Sequence, residues 1–233
     1  MFDPKQLLDQ FLGSKVPGTQ GTVREKAGDA VQLAKENPLA TGAIAAVLLG
    51  TGTGRALTGS ALKLGGLAVV AGLGYQAYKN YQSGKSPQES ATPQLETDVM
   101  PEAEQSGFDT AADKVDDDFA LALMRAMISA ARADGHIDDE ERERIAGRLA
   151  VSGLADDAQA FITQELDQPV PLDDIVAAAK TEEQRVEIYT ASRLAIEPNT
   201  RAERGYLDML AGRLGLADGL VDHIEATVAG ATG

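Results

Sequence analysis

Residues 39–78 hold the feature that most restricts how this chain can fold. Residues 39–54, LATGAIAAVLLGTGTG, carry no charge, and residues 56–78, ALTGSALKLGGLAVVAGLGYQAY, carry only Lys63. Each run lies near the lower limit for a bilayer-crossing helix, roughly 17–25 mainly apolar residues. Small residues recur at every fourth position: Gly42, Ala46, Gly50 and Gly54, then Ala61 and Gly65, then Ala68 and Gly72. That spacing makes a smooth helical stripe on which a second helix packs closely in lipid. In water, each interior glycine costs a helix roughly 1 kcal/mol relative to alanine. Tyr75, Tyr78 and Tyr81 fall where an interfacial aromatic belt would lie, and Lys63 and Lys79 are long enough to reach a headgroup layer. Residues 39–81 therefore read as Gly-rich membrane-type helices, one span or two, with membrane lipid as their partner. A flexible Gly/Ala-rich segment in water is the competing reading. Lys26 and Lys35 precede the runs, and Lys79 and Lys85 follow them. Basic flanks on both sides favour a hairpin with both ends, and the C-terminal domain, in the cytoplasm.

Charge divides the chain in the same place. Residues 1–85 hold 9 Lys/Arg and 5 Asp/Glu, and the rest holds 12 and 31, giving +4 and −19 within a total of −15. The acidic part argues against a nucleic-acid partner, whose phosphates need a cationic face. With no cysteine there is no disulfide framework, thiolate metal site or thiol nucleophile. Residues 1–38 read as amphipathic N-terminal helices rather than a signal peptide, because the basic start and apolar middle are missing. In the first helix Asp3 can cap, Pro4 suits the first turn, and Leu7, Leu8, Phe11 and Leu12 share a face. That face would dock on the protein itself or on a membrane. Residues 82–118 are rich in Pro, Ser, Gln and acids, and read as a disordered acidic linker with too little apolar surface to offset chain entropy.

From residue 119 a helical period takes over. Leu123, Met127, Ala130 and Ala131 form one stripe, and further helices are predicted near 139–151, 156–167, 172–180, 182–196, 201–215 and 217–229. Thr181 with Gln184, and Thr200 with Glu203, have capping-box spacing; Gly215 marks an end, and Pro169 and Pro171 a loop. No run alternates at period two. Residues 119–233 are therefore expected to form an all-α domain, its Leu, Ile and Met stripes serving as core.

One stretch of this domain raises a chemical question. RADGHIDDEERERI, residues 132–145, places six acidic or histidine side chains in the eight positions 134–141. An inter-helix turn explains most of it, with Gly135 as a left-handed cap, Ile137 packing inward and Asp138 with Glu141 as a capping box. A calcium loop of the EF-hand type is excluded, because glycine comes second and the loop is too short. A hard divalent ion could still be held by Asp134, Asp138 and Glu141. Residues 191–214 echo residues 129–149: an Ala-rich helix, an acidic break, a capping box and a helix ending in Ala-Gly-Arg-Leu. The echo makes Glu197 and Glu203 the counterparts of Asp134 and Glu141. Acids converging about a pseudo-twofold axis would repel, and a cation would relieve them. His136 reads as a solvated loop residue, and His223 as surface or half-buried.

ALMRAMISAARADGHIDDEERERI and ERGYLDMLAGRLGL together resemble the TerB-like helical domain, named for bacterial tellurite-resistance proteins. The glycine-rich apolar half before it is similar to the YebE-like group of bacterial inner-membrane proteins. The resemblance implies an inner-membrane location and a metal ion at Asp134 and Glu141, with Asp138 next. The second copy departs from the pattern, since Glu197 stands where Asp is common and no Gly follows it.

These features point to a membrane-anchored, non-enzymatic binding or sensing module in stress or envelope physiology. It would take one divalent cation (Ca, Mg, Mn or Zn) and a protein partner, with self-association into a homo-oligomer also open. The alternatives are a soluble structural or oligomerising helical protein and a metal-dependent hydrolase. The hydrolase lacks paired His ligands, a nucleophile motif and a phosphate loop.

Overall fold

The computed structural model describes residues 3–5, 7, 8, 66–91, 106–108, 115–133 and 156–232. Among these the regular structure is helical throughout. The helices are α1 (Gly66–Gln82), α2 (Pro87–Ser90), α3 (Asp117–Ala131), α4 (Asp156–Asp167), α5 (Leu172–Ala178), α6 (Glu182–Ala195), α7 (Arg201–Leu214) and α8 (Asp218–Thr232). The predicted capping residues act as the spacing requires. Thr181 accepts the Gln184 amide, and Thr200 and Glu203 form a reciprocal capping box. Gly215, with φ of 68°, ends α7 in the left-handed conformation that glycine adopts without strain.

The axis of the fold is α6. Every residue from Val186 to Ala195 is buried, because α6 is packed by α3, α1, α7 and α8. Its most extensive partner is α3, whose buried face includes Phe119, Leu123, Met124 and Met127. These two helices carry the Ala-rich starts of the sequence echo, and they pack on each other. Helix α7 follows α6 and also touches α3, where the Tyr206 hydroxyl donates to the Ala126 carbonyl (3.4 Å).

The membrane reading of residues 39–81 needs correction over residues 66–81. Helix α1 packs along α8 and α6. Leu67, Val69, Val70, Ala71, Leu73 and Ala77 belong to one core with the C-terminal helices. The small-residue spacing serves this packing. A Cβ at Gly74 would lie 3.2 Å from Val186 Cγ1, 3.3 Å from Phe108 and 3.4 Å from Thr190 Oγ1, so the absence of a side chain lets α1 approach α6. The tyrosines likewise make contacts within the protein, Tyr81 while staying 38 % exposed. Tyr75 packs edge-on to Phe108 (5.7 Å, 71°), the Tyr78 hydroxyl donates to Glu182 (3.2 Å), and Tyr81 meets the His223 ring (5.9 Å). Among the described residues no helix is long and apolar enough to cross a membrane. The first run and the start of the second, residues 39–65, lie outside the described residues.

The linker expectation for residues 82–118 also changes where the chain is described. Gly84, with φ of 68°, turns the chain out of α1. Ser86 and Glu89 then build a capping box around α2, which packs on α8 and α1. Phe108 is 2 % exposed and Val115 1 %. Burying a phenylalanine contributes roughly 1.5–3 kcal/mol, so this polar stretch supplies two anchors of its own. Residues 92–105 and 109–114 lie outside the described residues. At the N-terminus, Leu7 and Leu8 join the same core, and Lys5 pairs with Asp117 (3.2 Å). The described part of the first helix thus docks on its own protein, and the core extends well upstream of residue 119.

Candidate functional site

The residues proposed to hold a cation fall into two groups. Asp134, Asp138 and Glu141, with His136, lie outside the described residues. Glu197 and Glu203 are described, and the fold uses them differently. Glu203 is buried at the start of α7, where its Oε2 accepts the Thr200 amide (2.8 Å) and its own amide donates to Thr200 Oγ1 (3.1 Å). One carboxylate oxygen is therefore committed to capping the start of a helix. Glu197 is exposed in the α6–α7 connection. Its carboxylate accepts a long hydrogen bond from Asn199 Nδ2 at 3.5 Å. Among the described residues no three His, Cys, Asp or Glu side chains are placed to hold a metal ion.

Several ionisable groups inside the bundle are matched to one another. Arg125 on α3 donates to Glu165 on α4 through Nε and Nη2, both at 2.8 Å. Arg193 on α6 is 8 % exposed; its Nε donates to Glu225 on α8 (2.5 Å) and its Nη1 to the Ile196 carbonyl (2.9 Å). The Tyr189 hydroxyl donates to the other oxygen of Glu225 (2.8 Å). Burial, the negative charge of Glu225 and the hydrogen bond to it push the Tyr189 phenol far above its ordinary range. Tyr206 is pushed up to about 12 by burial, which outweighs hydrogen bonds with Ser192 and Ser129. Each group joins two helices, and a buried charge is tolerable only when paired in this way.

The surface is different. An open groove of about 630 Å³ is lined by Asp116, Asp117, Asp118 and Phe119 at the start of α3, and by Asp174, Ala177, Ala178 and Lys180 around α5. Asp116 caps α3 by accepting the Phe119 amide (2.7 Å), and the acids of the first turn favour the positive end of the helix. Asp117, Asp118 and Asp174 are exposed. Sequence reading assigned this acidic run to the linker. The usable signal was an Asp directly before a helical apolar period, which is an N-cap. His223 also departs from expectation: it is 3 % exposed and bonded to Ser90 (2.7 Å).

The chain belongs to the DUF533 family, described as a protein of unknown function, which matches residues 34–228. It is also 28 % identical over 106 residues to an uncharacterised protein in the ampR 5′ region of Yersinia enterocolitica, covering 46 % of this chain and 76 % of that one. No solved structure matches.

Proposed function

We propose that this chain is a non-enzymatic binding module whose helical bundle offers an acidic face to a cationic ligand. The single observation that carries this reading is the contrast between interior and surface. Arg125, Glu165, Arg193, Glu225 and Glu203 are spent on joining or capping helices. Asp118 and Asp174 stand open beside a groove. A framework with paired interior charges and free exterior acids suits recognition better than bond-breaking chemistry, which needs positioned groups within reach of a bound substrate.

In the sensing form of this reading the ligand is one divalent cation held at Asp134, Asp138 and Glu141, as the TerB-like resemblance implies. Membrane attachment, as in the YebE-like group, then rests on the uncharged residues 39–54 rather than on α1, whose apolar face is spent on the core. The C-terminal bundle would lie on the cytoplasmic side.

Calorimetric titration of the full chain with Ca²⁺, Mg²⁺, Mn²⁺ and Zn²⁺ tests the sensor. Heat from one ion that Asp134→Ala abolishes is expected. No heat from any ion, or equal heat from the variant, contradicts it. For attachment, the full chain should leave cell membranes only with detergent. Recovery in the supernatant after a salt wash contradicts it.

A further inference from the structure

The polar cluster between α1, α2 and α8 has a direction that its donors and acceptors impose. Lys85 Nζ lies 3.1 Å from Asn80 Oδ1, and an ammonium can only donate. The carbonyl end of the Asn80 amide therefore faces Lys85, and its NH2 end faces Ser90, donating to Oγ at 3.1 Å. Ser90 is fully buried. Its one hydroxyl proton has one acceptor within reach, His223 Nδ1 at 2.7 Å. The chain of donation runs Lys85 to Asn80 to Ser90 to His223, and it ends on a bare ring nitrogen. That assigns His223 as the neutral imidazole with its proton on Nε2.

We infer that this relay is an acid-released latch: the turn and short helix at residues 83–91 stay docked on α8 only while His223 is uncharged. A proton on Nδ1 turns the Ser90–His223 contact into donor facing donor. Ser90 Oγ could accept from the ring only by turning its own proton away, and in this buried cluster its other neighbour, Asn80 Nδ2, is a donor that cannot take that proton. The mismatch then passes back along the relay and opens the α2–α8 contact first.

The charged and titratable groups around His223 come from three elements. Lys85, after α1, lies on the far side of Asn80 and disfavours a second positive charge. Tyr81 of α1 presents its ring edge-on. Glu89 of α2 favours a cation, but its Oε2 accepts from both Ser86 N (2.8 Å) and Ser86 Oγ (2.9 Å). Those bonds, with a smaller contribution from Lys85, hold Glu89 below the usual carboxylate range. On α8 itself Asp222 and Glu225 flank His223 in sequence, and Glu225 is engaged by Arg193 and Tyr189.

Amide hydrogen exchange of the full chain tests the latch. At about pH 7.5 and about pH 5, spanning the ordinary histidine range, rates are corrected for the intrinsic pH effect. The wild-type segment 83–91 should lose protection several-fold at the lower pH while α6 keeps its own. His223→Gln, which cannot charge, should show no such loss. Equal behaviour of wild type and variant overturns the latch. Nitrogen NMR of the wild-type ring is an independent check that needs no variant. The proton on Nε2 at about pH 7.5 supports the relay, and a proton on Nδ1 overturns it.

Discussion

Helices α1 and α6 reach the same core with opposite sequences. Helix α1 carries one charge, Lys79, in 17 residues, whereas the 14 residues of α6 include Glu182, Glu183, Arg185, Glu187 and Arg193. Judged by hydropathy, α1 belongs in lipid and α6 on a surface. Their neighbours decide otherwise. Small residues let α1 approach α6, with Gly74 set against Val186, Phe108 and Thr190. Buried polar side chains in α6 are tolerated where they find partners: Thr190 donates to the Val186 carbonyl (2.8 Å) and Arg193 to Glu225. An apolar, glycine-spaced run thus states that something packs closely on it, not what that something is. A protein helix in water satisfies the same demand as a lipid-embedded one.

Removing what holds α1 in place should have the largest effect. Phe108→Ala should destabilise the bundle by about 3–5 kcal/mol, read as a fall in the denaturant midpoint. A change below about 1 kcal/mol would return residues 82–118 to the role of an unstructured tether. Arg193→Met tests the α6 side. It strands Glu225, whose side chain is 31 % exposed and so partly solvated, and should cost about 2–3 kcal/mol. If the cost is much less, the polar side chains of α6 are incidental to its burial. A smaller effect is expected from Gly74→Ala. Contacts of 3.2–3.4 Å force the neighbours to give, which offsets the better helix propensity of alanine. A net loss of about 1 kcal/mol in bundle stability is expected; a gain would mean that the α1–α6 approach is looser than the structure shows.

The mildest test uses alkali. Tyr206 has its folded value raised to about 12 from an ordinary 10.0, so the folded state holds the phenol proton more tightly than the unfolded chain does. Its contribution to stability is complete below about pH 10 and is lost as pH rises toward about 12. Tyr189 acts in the same direction. Tyr206→Phe should flatten the fall in stability between those limits, as followed by denaturant titration at stepped pH. An unchanged slope would mean that the Tyr206 site is wetter than its packing implies.

Much of the C-terminal fold was legible because its signals are local. Thr181, Thr200 and Gly215 mark helix ends by their own chemistry, and the predicted 156–167 span coincides with α4. Partner choice was not legible. Nothing near residue 74 in the sequence shows that Val186 and Thr190 will stand against it, more than a hundred residues away. Phe108 sits alone among polar neighbours, and a single aromatic makes no period. The acid pairing was legible in part. Thr200 and Glu203 were read as a cap, and that cap takes an oxygen that the metal reading had also assigned to the ion.

The central claim is that α1 is an internal helix of the bundle, lying against α6. Because the chain has no cysteine, one introduced pair tests it without background. Thr190 Oγ1 lies 3.4 Å from the Cβ position at Gly74, near the roughly 3 Å that separates a Cβ from the far sulfur across a disulfide. In the full chain carrying Gly74→Cys and Thr190→Cys, mild oxidation should form an intramolecular disulfide, seen as a mass loss of about two protons and a mobility shift reversed by reductant. Two thiols that stay reduced and free to react with a maleimide would contradict the account, and would put α1 back outside the bundle.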